Sequence, residues 1–138
     1  MGFLKIGHRG AAGSRPEHTR PAFERAMELG VDMIELDVQL TRDGRLVVVH
    51  DRELGRTLPG SGPVRDHTFD ELRALDQGSW FDPVVADERV LSLEEVLDLT
   101  RGRTDLNVEI KRPEPDWEET AAVLVDSLER HERLESTL

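Results

Sequence analysis

The sequence predicts an α/β fold in which short strands alternate with helices, and three observations point there. Hydrophobic spacing switches repeatedly between period two and a period near 3.6 along the chain. Residues suited to chemistry gather at the ends of the period-two runs, where parallel α/β sheets build their sites. The run Leu46-Val47-Val48-Val49 is apolar without interruption, as a strand covered on both faces requires. With 138 residues the chain supports one domain. A complete barrel of eight strand–helix units takes about 250 residues, so a barrel would have to be partial.

Phe3 to Ile6 reads as a short first strand, followed by a loop from His8 to His18 whose Gly10, Gly13 and Pro16 oppose regular structure. Thr19 then caps a helix from about Arg20 to Leu29, with Pro21 in its first turn, Gly30 past its end, and a buried stripe of Ala22, Phe23, Ala26 and Met27. Met33 to Leu40 alternates strictly: Ile34, Leu36 and Val38 face one side, Glu35, Asp37 and Gln39 the other. The turn 42–45 leads into the apolar strand Leu46–Val49, which ends at His50-Asp51. After an irregular stretch from Gly55 to Pro63, capping boxes at Thr68-x-x-Glu71 and Ser92-x-x-Glu95 start two helices, the second turning Leu93, Val96, Leu97 and Leu99 inward. Between them, Gly78-Ser79-Trp80-Phe81 reads as a loop with apolar anchors. Leu106 to Lys111 repeats the alternating pattern, with Asn107, Glu109 and Lys111 on one face, and Pro113 and Pro115 end it. Trp117, Ala121, Leu124 and Leu128 mark the face of a last helix.

A formal charge of −11 repels nucleic acid and anionic membranes, so neither is expected as a partner. No cysteine is present, which excludes disulfides and thiolate chemistry. No stretch approaches the ~18 apolar residues of a membrane span, and no targeting signal is visible, which predicts a cytoplasmic protein.

Glu35 and Asp37 on one strand and Glu109 on another can offer three oxygens to a hard divalent cation such as Mg²⁺ or Ca²⁺. Alternatively the charges are solvated or paired with arginines, as on half-exposed antiparallel strands. His8 and His50 both lie at strand ends, where a histidine pair can act as acid and base near neutral pH. Arg9 brings a planar fork suited to phosphate oxygens. Lys111, one of only two lysines beside Lys5, brings a compact charge to the face of Glu109.

Taken in order, His8-Arg9-Gly10, Glu17-His18-Thr19, Glu35-x-Asp37, His50-Asp51 and Glu109-x-Lys111 resemble the glycerophosphodiester phosphodiesterase family. Val64–Thr68, Leu75–Phe81 and Leu91–Val96 are similar to that family's insertion, about 52–105, between the third and fourth strands. The resemblance covers essentially all of 1–138. It implies about the first half of a TIM-type (β/α) barrel, and metal-dependent hydrolysis of a small glycerophosphodiester to glycerol 3-phosphate and an alcohol. It further implies Glu35, Asp37 and Glu109 as ligands of one cation, Mg²⁺ or Ca²⁺, and His8 and His50 as the acid–base pair. Arg9 and Lys111 would hold phosphate, with Glu17 near the metal and the glycerol end.

Two departures stand out. Many members carry asparagine where this chain has His18, and the chain stops where a fifth strand is expected. A half-barrel with unpaired edges predicts self-association. The competing expectations are therefore a catalytically incomplete metal- or phosphate-binding half-barrel that self-associates, and another phosphoric diester hydrolase of the same superfamily.

Overall fold

The computed structural model describes residues 2–111 and 115–138, so the expectation for Pro113 falls outside the described residues. The first unit is β1 (Ile6–His8), α1 (Arg20–Glu28) and β2 (Met33–Leu40), with β1 parallel to β2 in the register Ile6↔Met33 and His8↔Glu35. The helix starts as expected: the Thr19 hydroxyl accepts the Ala22 N–H, and Gly30 takes a left-handed φ of 66° just past the end. The first strand lies later than Phe3–Ile6. Its partner begins only at Met33, so Phe3 and Leu4 have no neighbour to pair with and are 92% and 69% exposed.

On its other side β2 pairs in parallel with β4 (Asp105–Glu109), from Met33↔Asp105 to Asp37↔Glu109. Next to β4, Thr137 forms a parallel bridge with Leu106, and the Leu138 N–H donates to the Leu106 carbonyl at 2.8 Å. Parallel pairing with helical crossovers is the expected α/β architecture.

The strand β3 (Leu46–Val48) corrects the strand count. It pairs antiparallel with the far end of β2, Val38↔Val48 and Leu40↔Leu46, and is no member of the parallel series. The five residues 41–45 between them make a turn, closed by Thr41 N–H to Arg45 O at 2.9 Å with Gly44 at φ 76°. A parallel return needs a dozen residues or more. The alignment of strands therefore puts residues 137–138 beside β4 as the fourth parallel position, not the fifth.

The apolar character of β3 has a different cause from burial within a barrel wall. Leu46 and Val48 face the main core, with Phe23, Ile34, Leu36, Val38, Leu97 and Leu106. Val47 and Val49 face a second cluster formed with Leu58, Val64, Phe69, Leu72 and Val90. The strand is a partition between two cores.

Both capping boxes form as expected, at α2 (Phe69–Arg73) and α3 (Leu93–Thr100). α3 and α4 (Trp117–Arg130) pack Leu93, Val96, Leu97, Leu124 and Leu128 into the main core; Ala121 is only partly buried. Trp80 and Phe81 do not anchor their loop. They are 40% and 39% exposed and meet edge-to-face on the surface.

Candidate active site

The alternating faces of β2 divide its labour. Ile34, Leu36 and Val38 enter the core, which sends Glu35 and Asp37 to the opposite face at 9% and 1% exposure. Parallel register then sets neighbours beside them: His8 of β1 opposite Glu35, and Glu109 of β4 opposite Asp37. Glu35, Asp37 and Glu109 each contribute a carboxylate oxygen, and these oxygens all lie within 4.8 Å of one another.

The loop after β1 completes the near side. Arg9 is left-handed at φ 53°, and its N–H donates to Glu35 Oε2 at 3.0 Å. Gly10 follows at φ 83°, where a Cβ would lie 2.8 Å from the Ala22 backbone, so only glycine lets the loop lie against α1. The Arg9 guanidinium donates to Glu17 Oε2 at 2.9 Å and has Nε 3.7 Å from Asp37 Oδ2.

Asp37 is the most enclosed of the acids, and neither of its oxygens has a full hydrogen bond. Lys111 Nζ lies 3.1 Å from its Oδ1 and 2.6 Å from Glu109 Oε1. Burial works against ionisation of Asp37, but contacts with His18 and Lys111 outweigh it and lower its pKa. Lys111 is held charged for the converse reason: desolvation lowers its pKa, and Glu109 and Asp37 more than reverse that. A buried carboxylate with oxygens left over, facing two other carboxylates, suits a hard cation. The donor set fits Mg²⁺ or Ca²⁺ chemically, since all three groups present oxygen.

The two histidines are placed differently. His8 ends β1 with its side chain 70% exposed and Nε2 3.8 Å from Glu35 Oε2. His50 follows β3, and its Nδ1 is 2.7 Å from Asp51 Oδ1. Because β3 runs back antiparallel, its carboxyl end returns toward the level of Asp37. Gln39 steadies that return by donating from Nε2 to the His50 carbonyl at 3.1 Å.

Two contributors escaped the residue pattern. His18 lies in the Glu17-His18-Thr19 motif with no role implied for it; it is 1% exposed, left-handed at φ 60°, and its Nε2 lies 3.2 Å from the Asp37 backbone N and 3.4 Å from Asp37 Oδ2. Arg56, one arginine among many in an irregular loop, gave no signal. It donates to Asp51 through Nε at 2.7 Å and Nη2 at 3.0 Å, and to Glu17 Oε1 at 2.5 Å. Those bonds hold Asp51 down at a pKa of about 2. For Glu17, burial favours the neutral acid, yet hydrogen bonds from Arg56 and Arg9 prevail and lower its pKa.

The model of the glycerophosphoryl diester phosphodiesterase family matches residues 8–134. The chain belongs to this family. The glycerophosphodiester phosphodiesterase of Bacillus subtilis is 41% identical over 95% of this chain and 47% of its own length. That of Caldanaerobacter subterraneus is 51% identical over 80% and 46%. Among solved structures, a glycerophosphodiester phosphodiesterase from Agrobacterium tumefaciens superposes with a TM-score of 0.87 at 36% identity, covering 98% of this chain and 56% of that one. A phosphodiesterase from Oleispira antarctica, solved with the product sn-glycerol-3-phosphate, gives 0.88 at 35% identity, covering 94% and 53%. These structural neighbours are TIM-barrel proteins of the family. The chain spans about half the length of the curated relatives it matches. No described helix is long and apolar enough to cross a membrane.

Proposed function

We propose that this protein hydrolyses small glycerophosphodiesters to glycerol 3-phosphate and an alcohol with the help of one divalent cation, within the first half of a TIM-type barrel. The observation that carries this reading is the register of three parallel strands, which sets Glu35, Asp37 and Glu109 together with His8 beside them. The product bound in the Oleispira antarctica relative supports the same substrate class. Residues of about 52–105 act as the family's insertion, although α3 packs with the main core and so works with the barrel wall. A small water-soluble substrate suits a cytoplasmic location.

In this mechanism Glu35, Asp37 and Glu109 would hold the cation. When bound, it would supply positive charge to the phosphate and to an oxygen nucleophile. Arg9 and Lys111 take phosphoryl oxygens, trading part of their present pairing with Glu17, Asp37 and Glu109 for the substrate's charge. One of His8 and His50 accepts the proton of the substrate's own glycerol hydroxyl as that oxygen bonds to phosphorus, while the other protonates the departing alcohol oxygen; water then opens the resulting cyclic phosphate, with the proton roles reversed, to give glycerol 3-phosphate. Glu17 stands by the glycerol end through its grip on Arg9.

The test is release of glycerol 3-phosphate from glycerophosphocholine with Mg²⁺ or Ca²⁺, against chelator, in wild type, Asp37→Asn and His8→Ala. Turnover that needs metal and falls at least ~100-fold in each variant is expected. Activity that persists in chelator or survives both substitutions would sink the mechanism. Cation binding without turnover would favour a binding half-barrel, and sedimentation of the same sample reads whether it associates.

A further inference from the structure

The loop that follows His50 carries an unassigned connection. Residues 52–63 fold back on themselves: Leu54 N–H donates to Gly62 O at 2.9 Å, Gly55 N–H to Leu58 O at 2.8 Å, and Val64 N–H to Arg52 O at 2.7 Å. Leu58 pins the loop into the second core at 3% exposure. From its tip Arg56 reaches three groups. Its Nε and Nη2 fork onto both oxygens of Asp51, Nη2 also meets Glu17, and the guanidinium lies 5.6 Å above the Trp80 ring. One side chain thus ties the loop after β1, through Glu17, to the loop after β3, through Asp51.

We infer that Arg56 is a positioning residue: by clamping Asp51 it makes His50 carry its proton on Nδ1 and present Nε2 to the phosphodiester. An ionised carboxylate only accepts hydrogen bonds, so the 2.7 Å contact with Asp51 Oδ1 requires Nδ1–H. The fork fixes the carboxylate plane as a single bond would not, because both oxygens are engaged side-on by a rigid planar donor. The His50 carbonyl is held independently by Gln39, which leaves the ring's tautomer as the property Asp51 decides. This inference rests on His50 serving as an acid–base group, but the state it assigns to the ring exists without substrate or metal.

The experiment therefore uses the metal-free chain. Long-range ¹H–¹⁵N spectra at pH 8 read the ring nitrogens of His50, assigned with His50→Gln, in wild type, Arg56→Gln and Arg56→Lys. The expected result is Nδ1–H in wild type and a fall of about tenfold in the ratio of Nδ1–H to Nε2–H in Arg56→Gln. Arg56→Lys keeps the charge without the fork and should fall between them. The ring signals of His8 and His18 should stay in place, which reports an intact fold. Nε2–H in wild-type His50, or an unchanged ratio in both folded variants, would overturn the clamp. Failure of the phosphodiesterase assignment would appear only in the glycerol 3-phosphate assay and would leave these spectra as they are.

Discussion

The two ends of β2 live in different surroundings. Met33–Glu35 is flanked by parallel neighbours on both sides and β4 continues beside Asp37, while Val38–Leu40 is paired antiparallel with β3. Behind the first end lies the main core, built with α1, α3 and α4; across β3 lies the smaller cluster around Phe69 and Leu72. The site sits where the pairing changes. Parallel register lines up Glu35, Asp37, Glu109 and His8, and the hairpin returns the chain after Val48, with His50, toward the level of Asp37.

Substitutions in the two cores should separate these regions. Leu36→Ala, in the parallel end at 0% exposure, should cost about 3–4 kcal/mol, read as a lower urea midpoint by every probe at once. Leu72→Ala, equally buried but in the smaller cluster, should cost about 2–3 kcal/mol. Its hydrogen exchange should rise first in residues 52–90 with the parallel strands still protected. Uniform exchange in both variants would merge the two cores into one unit.

A smaller effect tests the join between them. Ser92 accepts the Glu95 N–H at the start of α3, and Glu95 in turn accepts the Ser92 N–H and pairs with Arg73 of α2 at 2.5 Å. Ser92→Ala should cost about 1 kcal/mol, and Arg73→Ala should add less to it than it costs alone if the box and the ion pair act as one.

The smallest effect is the acid response of the hairpin end. Asp51 has a folded-state pKa of about 2 against an ordinary 3.8, chiefly because Arg56 bonds to it. A lowered acid pKa contributes stability that is complete above about pH 4 and is lost as pH falls toward 2. The pair is partly exposed, so the contribution is under about 1 kcal/mol. Arg56→Gln should therefore narrow its stability gap from wild type as unfolding is measured from pH 6 down to pH 2.5, and a constant gap would remove Asp51 from the account.

Much of this was legible in the residues. Thr19, Thr68 and Ser92 mark helix starts because a short oxygen side chain satisfies N–H groups that no helix can satisfy for itself. The alternation in β2 gave the faces of Glu35 and Asp37, and the ordered motifs gave the family. Less was legible where partners are remote in sequence. Trp80 and Phe81 look like anchors by composition, yet they are 40% and 39% exposed and belong to neither core cluster. β3 looks like a barrel strand, since four apolar residues in a row describe burial on both sides but not what does the burying.

Local chemistry thus specified elements and the faces their side chains take, because those depend on side-chain period and on hydrogen-bonding groups a few residues apart. The direction of β3, the separation of two cores across it and the reach of Arg56 from one loop to two others depended on packing between distant segments. Strand direction is set by which neighbour completes the ladder and by the length of chain available to reach it. Residues 41–45 allowed only a turn, and that turn returned His50 toward the level of Asp37.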